Sequence, residues 1–108
     1  MGIMHAKPSE AISVAPLGPA LSQARTTALV KTDSLEVIRL IVPAGKEIAS
    51  HRTRGEVTIQ CLEGEVGIIV NGVTEALLAG QLLYLSKHEL HAVHGIRDAS
   101  LLVTILLA

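Results

Sequence analysis

Residues 43–64, PAGKEIASHRTRGEVTIQCLEG, set His51 between a glycine turn and an apolar segment that ends at a second glycine. A second segment, HELHAVH at residues 88–94, carries three more histidines. Whether these two distant segments act together depends on a fold in which they meet.

The composition is that of one globular domain without a strongly charged surface. The 108 residues include nine basic and ten acidic side chains, for a formal net charge of −1, and neither sign forms a block. This balance predicts neither a nucleic acid nor a membrane as a partner. Tyr84 is the only aromatic residue, which nearly excludes base-stacking surfaces and aromatic cages.

Two further features predict a soluble, cytoplasmic protein. No apolar run reaches the roughly 18 residues of a membrane-spanning helix, and residues 1–8 lack the layout of a signal peptide. Cys61 is the only cysteine, so no internal disulfide is expected. Its place in an apolar pattern predicts a small buried hydrophobic side chain rather than a reactive thiol.

From residue 27 onward the sequence has the pattern of β-strands. Short apolar and β-branched runs alternate with turn residues, and no convincing long helix is present. Asn71-Gly72, between two apolar runs, predicts a tight hairpin because both residues tolerate a positive φ. The predicted strands cover residues 27–31, 35–42, 57–62, 65–70, 73–78, 81–85 and 99–107. This spacing predicts an all-β sandwich or barrel.

Residues 1–28 differ from the remainder and are predicted to form an N-terminal arm, with the β domain spanning residues 29–108. The arm holds three of the four prolines and has weak periodicity. One short helical turn is expected around residues 20–25. Two alternatives remain open for the arm: it is a loose tail, or it adds a strand to its own sheet or to the sheet of a partner.

Several predicted strands are apolar on both faces, which indicates burial on both faces. Leu77-Leu78, Leu82-Leu83 and residues 101–107 show this most clearly. One face would line the interior of a barrel, and the other would be covered by the arm or by a second subunit. We predict a homodimer formed by sheet-on-sheet packing, with a covered monomer as the alternative.

The segment around His51 resembles the first sequence motif of the cupin family, whose members are small jelly-roll barrels of antiparallel strands. Gly45, His51 and Gly64 stand at the positions that the family motif requires. Thr53 stands where the family has a second histidine, and Val57 stands at its acidic position.

The segment around His91 resembles the second cupin motif. Gly80 and His91 match it, whereas Ser86 replaces a proline and His88 replaces a glycine. The resemblance covers about residues 35–107. It implies an all-β fold, the antiparallel double-stranded β-helix of the cupin jelly-roll barrel with an N-terminal arm, and a ligand pocket at the barrel mouth.

The resemblance also implies a metal site that contains His51, His91 and one further ligand. Glu56 lies one residue before the acidic position of the motif, and Gln60 is the second candidate. Three protein ligands with open positions suit catalysis or substrate chelation by Fe, Mn, Ni, Zn or Cu.

Strand geometry decides whether Glu56 or Gln60 can reach such a site, because successive side chains point to opposite faces. If residues 54–55 form a turn or bulge, the phase is reset and the even-numbered side chains from Glu56 to Gln60 face inward. Without that reset, the odd-numbered side chains from Val57 to Cys61 face inward and the strand contributes no ligand. We favour the first arrangement, because the polar side chains would then line a functional pocket.

Five further residues are candidates for the substrate pocket: Thr53, Thr58, Arg54, His88 and Tyr84. Arg54 would bind a carboxylate at the pocket mouth, and Tyr84 would present its hydroxyl. The alternatives are a solvated Arg54, a core position for Tyr84 and a turn position for His88.

Three functions are compatible with these residues. The resemblance implies a pocket that binds a divalent transition metal and a small molecule, as in a metal-dependent dioxygenase or isomerase. The alternative is a non-enzymatic module that binds or senses a small molecule without metal. The third is an interaction domain whose barrel is filled by its own side chains.

Overall fold

The computed structural model describes residues 5–107, which form seven β-strands and one short 3-10 helix. The first four residues of the predicted arm and residue 108 lie outside this range. The strands are β1 (Thr27–Lys31), β2 (Leu35–Val42), β3 (Glu47–His51), β4 (Val57–Val70), β5 (Val73–Leu78), β6 (Leu82–Leu85) and β7 (His91–Leu106), and the 3-10 helix is Gly18–Gln23. The predicted all-β fold is confirmed.

The strands form one continuous sheet in the order β1-β2-β7-β4-β5, with β3 beside β7 and β6 beside β4. β4 and β7 pair with each other along their length and divide the sheet into two halves. The first half-sheet contains β1, β2, β6, residues 57–61 of β4 and residues 99–106 of β7. The second half-sheet contains β3, β5, residues 65–70 of β4 and residues 91–97 of β7.

The two half-sheets face each other across a common core. Val57 and Ile59 of the first half-sheet belong to the same buried cluster as Val66 and Ile68 of the second, and all four are at most 2% exposed. Burial of these side chains between two layers drives the closure of the jelly roll. Cys61 is fully buried in this core, and burial raises the pKa of its thiol, which confirms the prediction of a structural cysteine.

Gly64 lies where β4 passes from one half-sheet to the other. The pairing of β4 with β7 is irregular between Cys61 and Val66. Gly64 has a φ of 81°, and a Cβ atom at this position would overlap the backbone carbonyl of Asp98 on β7. The second glycine of the first motif is therefore required both for its left-handed conformation and for close strand contact.

The hairpin prediction is confirmed, whereas the strand boundaries differ in the long strands. Asn71 and Gly72 have φ angles of 52° and 76°, as a type I′ turn requires. The predicted strands 57–62 and 65–70 are one strand, β4. β3 was not predicted, and β7 begins at His91 rather than at residue 99. Backbone pairing with β4 extends β7 through residues whose side chains lack an apolar pattern.

The N-terminal arm lies against the barrel and is held mainly by its backbone. The Arg39 guanidinium donates hydrogen bonds to the carbonyl oxygens of Ala15 (3.0 Å) and Ser13 (3.4 Å). The Glu63 carboxylate accepts from the N–H groups of Leu17 (2.9 Å) and Gly18 (3.1 Å). Within residues 5–26 the arm adds no strand, and its short helical turn begins slightly earlier than predicted.

Between residues 5 and 107 no helix combines the length and the apolar character that crossing a bilayer demands.

Candidate functional site

His51 and His91 lie side by side between the two half-sheets. His51 ends β3, His91 begins β7, and the two are direct partners in the antiparallel pairing of these strands. Partners in a ladder share a face, so both rings lie on the same side. Their ring centroids are 4.3 Å apart and the ring planes are tilted by 53°. The convergence of the two histidine segments expected from the sequence is therefore present.

Both imidazoles are oriented by the same kind of local hydrogen bond. Nδ1 of His51 lies 3.3 Å from the carbonyl oxygen of Ala49, and Nδ1 of His91 lies 3.2 Å from that of Glu89. A carbonyl oxygen only accepts, so each of these hydrogen bonds forms in the tautomer that carries its hydrogen on Nδ1. In the neutral form, each ring therefore carries its lone pair on Nε2, as histidine ligands of metals commonly do.

His91 is the more buried of the two rings, at 3% exposure, whereas His51 is exposed. Burial lowers the pKa of the His91 imidazole below its ordinary value, and the neighbouring His51 adds to this effect. The hydrogen bond to the Glu89 carbonyl opposes the shift without reversing it. His91 therefore stays neutral to lower pH than an ordinary histidine.

The two rings line a cavity of about 230 Å³ between β2, β3, β4 and β7. Its other lining residues are aliphatic: Ile38, Leu40, Ile48, Ile59, Val93, Val103 and Ile105. No acidic or basic residue is among them. The site is thus a small apolar space with a polar end formed by two imidazoles, a common arrangement for binding small molecules.

The favoured orientation of β4 is wrong. Val57, Ile59 and Cys61 face the core, and Gln60 lies on the opposite face with Leu82 and Leu102 as its ladder partners. Residues 54–55 form a bend before β4, and β4 then pairs regularly with β6 and β7 with its odd-numbered side chains in the core. Burial of the three apolar side chains fixes this register. Gln60 and Thr58 therefore point away from the histidine cavity.

Glu56 and Tyr84 form a separate pair on the outer surface. The Tyr84 hydroxyl donates a hydrogen bond to the Glu56 carboxylate, which raises the pKa of the tyrosine. Tyr84 is 55% exposed, so it is not a core residue, and it is not among the residues that line the cavity. With Thr58 and Thr104 these residues line a shallow surface groove. The expected role of Glu56 as a third ligand beside His51 and His91 is therefore not supported by its position.

Thr53, Arg54 and His88 lie near the cavity without lining it. Thr53 and Arg54 line a neighbouring groove that shares Ile105 with the cavity. The Thr53 carbonyl accepts a hydrogen bond from the backbone N–H of His88 (3.0 Å). His88 is exposed and has a φ of 62°, which explains why the matching cupin position is a glycine.

The donor set does not fit a conventional metal centre. Within residues 5–107, no three side chains of histidine, cysteine, aspartate or glutamate come together in a way that could hold a metal. His94, the third histidine of its segment, lies on the outer face and bonds to Glu47 (3.0 Å). The cavity offers two imidazoles, and any further ligand would have to come from solvent or from a bound molecule.

The aliphatic lining residues were not identified from the sequence as functional. Ile38 and Leu40 alternate along β2, and Val103 and Ile105 alternate along β7, as expected for side chains that share one face. The same pattern describes any core strand, so nothing in it distinguishes a cavity wall from a filled interior. A regular β3 would place Ile48 and His51 on opposite faces. The irregular pairing of β3 with β7 between these two residues brings both to the cavity.

Comparison with known proteins identifies the fold. No model of a protein family and no curated protein matches the sequence. A cupin superfamily protein of Desulfitobacterium hafniense aligns with 92% of this chain and 100% of its own, at 18% identity and a TM-score of 0.75. A conserved protein of unknown function from Streptococcus pyogenes aligns over 100% of this chain and 98% of its own, at 18% identity and a TM-score of 0.76.

One enzyme of known activity shares the fold. The salicylate 1,2-dioxygenase of Pseudoaminobacter salicylatoxidans, in complex with gentisate, aligns with 74% of this chain and 24% of its own, at 18% identity and a TM-score of 0.69. These similarities confirm the cupin fold, a double-stranded β-helix, that the two motifs implied. They leave the chemistry open, because proteins of one fold carry unrelated functions.

Proposed function

We propose that this chain binds a small molecule in the cavity between its two half-sheets, with the imidazoles of His51 and His91 holding the polar end of the ligand. The observation that carries this proposal is the adjacency of the two rings, 4.3 Å apart, at an otherwise aliphatic cavity. Apolar walls supply affinity, and a few placed polar groups fix orientation. This is the non-enzymatic binding or sensing function that the sequence offered as the alternative to a metal-dependent enzyme.

A divalent transition metal on the two imidazoles is the second candidate. It is supported by the Nδ1 hydrogen bonds, which leave both Nε2 lone pairs available in the neutral rings. A metal-dependent dioxygenase or isomerase reaction would depend on this metal, which would supply Lewis-acid or redox chemistry. Two protein ligands without a carboxylate form a weaker site than the usual three or four, so we place the metal second.

Binding of a small molecule should depend on both cavity histidines and not on His94. We expect a fragment library, screened by amide NMR in the presence of a chelator, to shift resonances of Ile48, Val93 and Val103. His51→Ala and His91→Ala should each weaken the bound fragments by about tenfold, because each removes a hydrogen-bonding partner at the polar end. His94→Ala is the matched control and should leave binding unchanged.

The same variants test the metal candidate when Zn²⁺ or Cu²⁺ replaces the fragments and the chelator is omitted. If the metal ion stays bound to His94→Ala but to neither cavity variant, a metal at this site is supported. Fragment binding without metal retention would leave the small-molecule function alone. If neither fragments nor metal respond to the two cavity substitutions, the proposed site is wrong.

We also propose that the outer face of the first half-sheet forms a homodimer. Leu82 and Tyr84 on β6 are 59% and 55% exposed. They continue across the sheet through uncharged ladder partners: Thr58, Gln60, Leu102 and Thr104. The arm covers the adjoining part of this sheet, where Arg39 is bonded to Ala15. An exposed face of this kind, with Glu56 as its charged group beside Tyr84, suits an isologous contact with a second copy.

Leu82→Asp should convert the dimer into a monomer, because a two-fold contact would bury two carboxylates without partners. The measurement is molar mass by light scattering on a sizing column. Val73→Asp is the control. Val73 is 67% exposed and lies beside the turn of the β4–β5 hairpin, away from Leu82. A monomeric wild type, or a dimer that survives Leu82→Asp, would contradict this interface.

A further inference from the structure

The lining of the cavity restricts the chemical class of its ligand, an inference that rests on the proposed function. The two imidazoles are the only polar side chains among the lining residues, and the other seven lining residues are aliphatic. A volume of about 230 Å³ lies below the range of about 300–1,000 Å³ that pockets for drug-sized ligands occupy. The ligand should therefore be a short aliphatic molecule with a single polar end.

The polar end of the cavity presents acceptors. Because each Nδ1–H is directed to a backbone carbonyl, a neutral ring has only the Nε2 lone pair to offer a ligand. The two rings are adjacent, so a ligand would meet two acceptors next to each other. A group that only accepts hydrogen bonds would find no donor among the neutral lining side chains.

We infer that the ligand is an uncharged aliphatic molecule whose polar end donates a hydrogen bond, of the class of the short branched alcohols. A carboxylate would face two lone pairs, and an ammonium group would enter an apolar space without a carboxylate. Beside His91, which is 3% exposed, either charge would be poorly hydrated and without a partner, which is unfavourable. A hydroxyl group satisfies one imidazole without bringing a charge into the cavity.

Charged residues of the adjoining groove define the main competitor. Arg54 and Glu36 line that groove, and Glu36 is paired with Lys31 at 3.4 Å. A ligand with a carboxylate would have to attract the Arg54 guanidinium across Ile105, which separates the two spaces. Probes that share one carbon skeleton but carry different head groups distinguish a carboxylate ligand attracted to Arg54 from the alcohol that we infer.

The test is a set of amide NMR titrations with isopentanol, isovalerate and isopentylamine, which share one branched skeleton. The buffer contains a chelator and is held at about pH 8.5 throughout. We expect isopentanol to bind at least about tenfold more tightly than either charged probe. In His91→Leu and His51→Leu the preference should fall to less than about threefold, because the acceptor is lost.

The outcomes separate this inference from the proposed function. If isovalerate or isopentylamine shifts the cavity resonances at concentrations as low as isopentanol does, the cavity binds small molecules but the inferred class is wrong. If the alcohol preference is the same in both leucine variants, the imidazoles do not set it, and the inference is also wrong. If no probe and no dissolved xenon affects these resonances, the inference and the proposed function both fail.

Discussion

Gly64→Ala should destabilise the protein by at least about 3 kcal/mol, a large share of the roughly 5–15 kcal/mol that stabilises an ordinary domain. The added methyl group would overlap the Asp98 carbonyl and also crowd Ala99, both in the backbone of β7. Neither neighbour can move without opening the β4–β7 pairing that joins the two half-sheets. A φ of 81° adds the strain of a left-handed conformation to this overlap.

Gly45→Ala is the matched control for this prediction. Gly45 also has a φ of 81°, but an added Cβ at that position would meet nothing within 4 Å. Its cost should therefore be about 1 kcal/mol, the conformational strain alone. Urea unfolding of both variants provides the comparison. Equal losses in the two variants would show that close contact with β7 is not what makes Gly64 necessary.

Glu63→Gln should cost about 2 kcal/mol by releasing the N-terminal arm. The Glu63 carboxylate accepts hydrogen bonds from Leu17 and Gly18 of the arm and from the Ser100 hydroxyl (2.5 Å), which is fully buried. All three partners are donors, so the NH₂ group of a glutamine would oppose at least one of them. Glu65→Gln is the control, because Glu65 has only a 3.4 Å ion pair with a largely exposed Arg97.

The stabilisation that the Glu63 carboxylate provides should decrease as the pH falls. Burial acts to raise the pKa of this carboxyl, but the hydrogen bonds from Leu17, Ser100 and Gly18 outweigh it and lower the pKa. A carboxylate whose pKa is lower in the folded than in the unfolded state stabilises the protein at pH values above its unfolded-state pKa. This stabilisation disappears as the pH falls through the folded-state pKa. The difference in Tm between wild type and Glu63→Gln should thus be full at neutral pH and shrink below about pH 4.

The Glu63→Gln substitution should loosen the N-terminal arm without opening the barrel. Hydrogen exchange at Leu17 and Gly18 should accelerate in Glu63→Gln while the amides of β4 and β7 remain protected. If arm and barrel amides lose protection together, or if the Tm difference is independent of pH, the carboxylate does not act as a separate clamp on the arm.

Much of this architecture follows from local sequence chemistry. Period-two apolar runs predict the strands, and Asn71-Gly72 predicts the turn that the observed φ angles confirm. The spacing of Gly64 from His51 reflects a physical requirement, the close passage of β4 over β7. These features depend on a few neighbouring residues each, which is why they can be read without knowledge of the tertiary structure.

The face of each strand is harder to predict, because it is decided by packing across the molecule. Thr58 and Gln60 are the polar residues of an apolar strand, and polarity alone fits either a pocket or an outer face. The core selects the row of Val57, Ile59 and Cys61, which excludes Gln60 from the cavity. No sequence pattern shows that Glu56 is engaged by Tyr84, because this contact depends on the pairing of β4 with β6.

A crystal structure determined under xenon pressure tests the central claim most directly, since xenon occupies dry apolar cavities and scatters anomalously. The account predicts one strong anomalous peak between Ile59 and Val103, beside imidazole rings of His51 and His91 that lie next to each other. A barrel filled by its own side chains without a xenon site, or rings that point into solvent on separate sides, would contradict it.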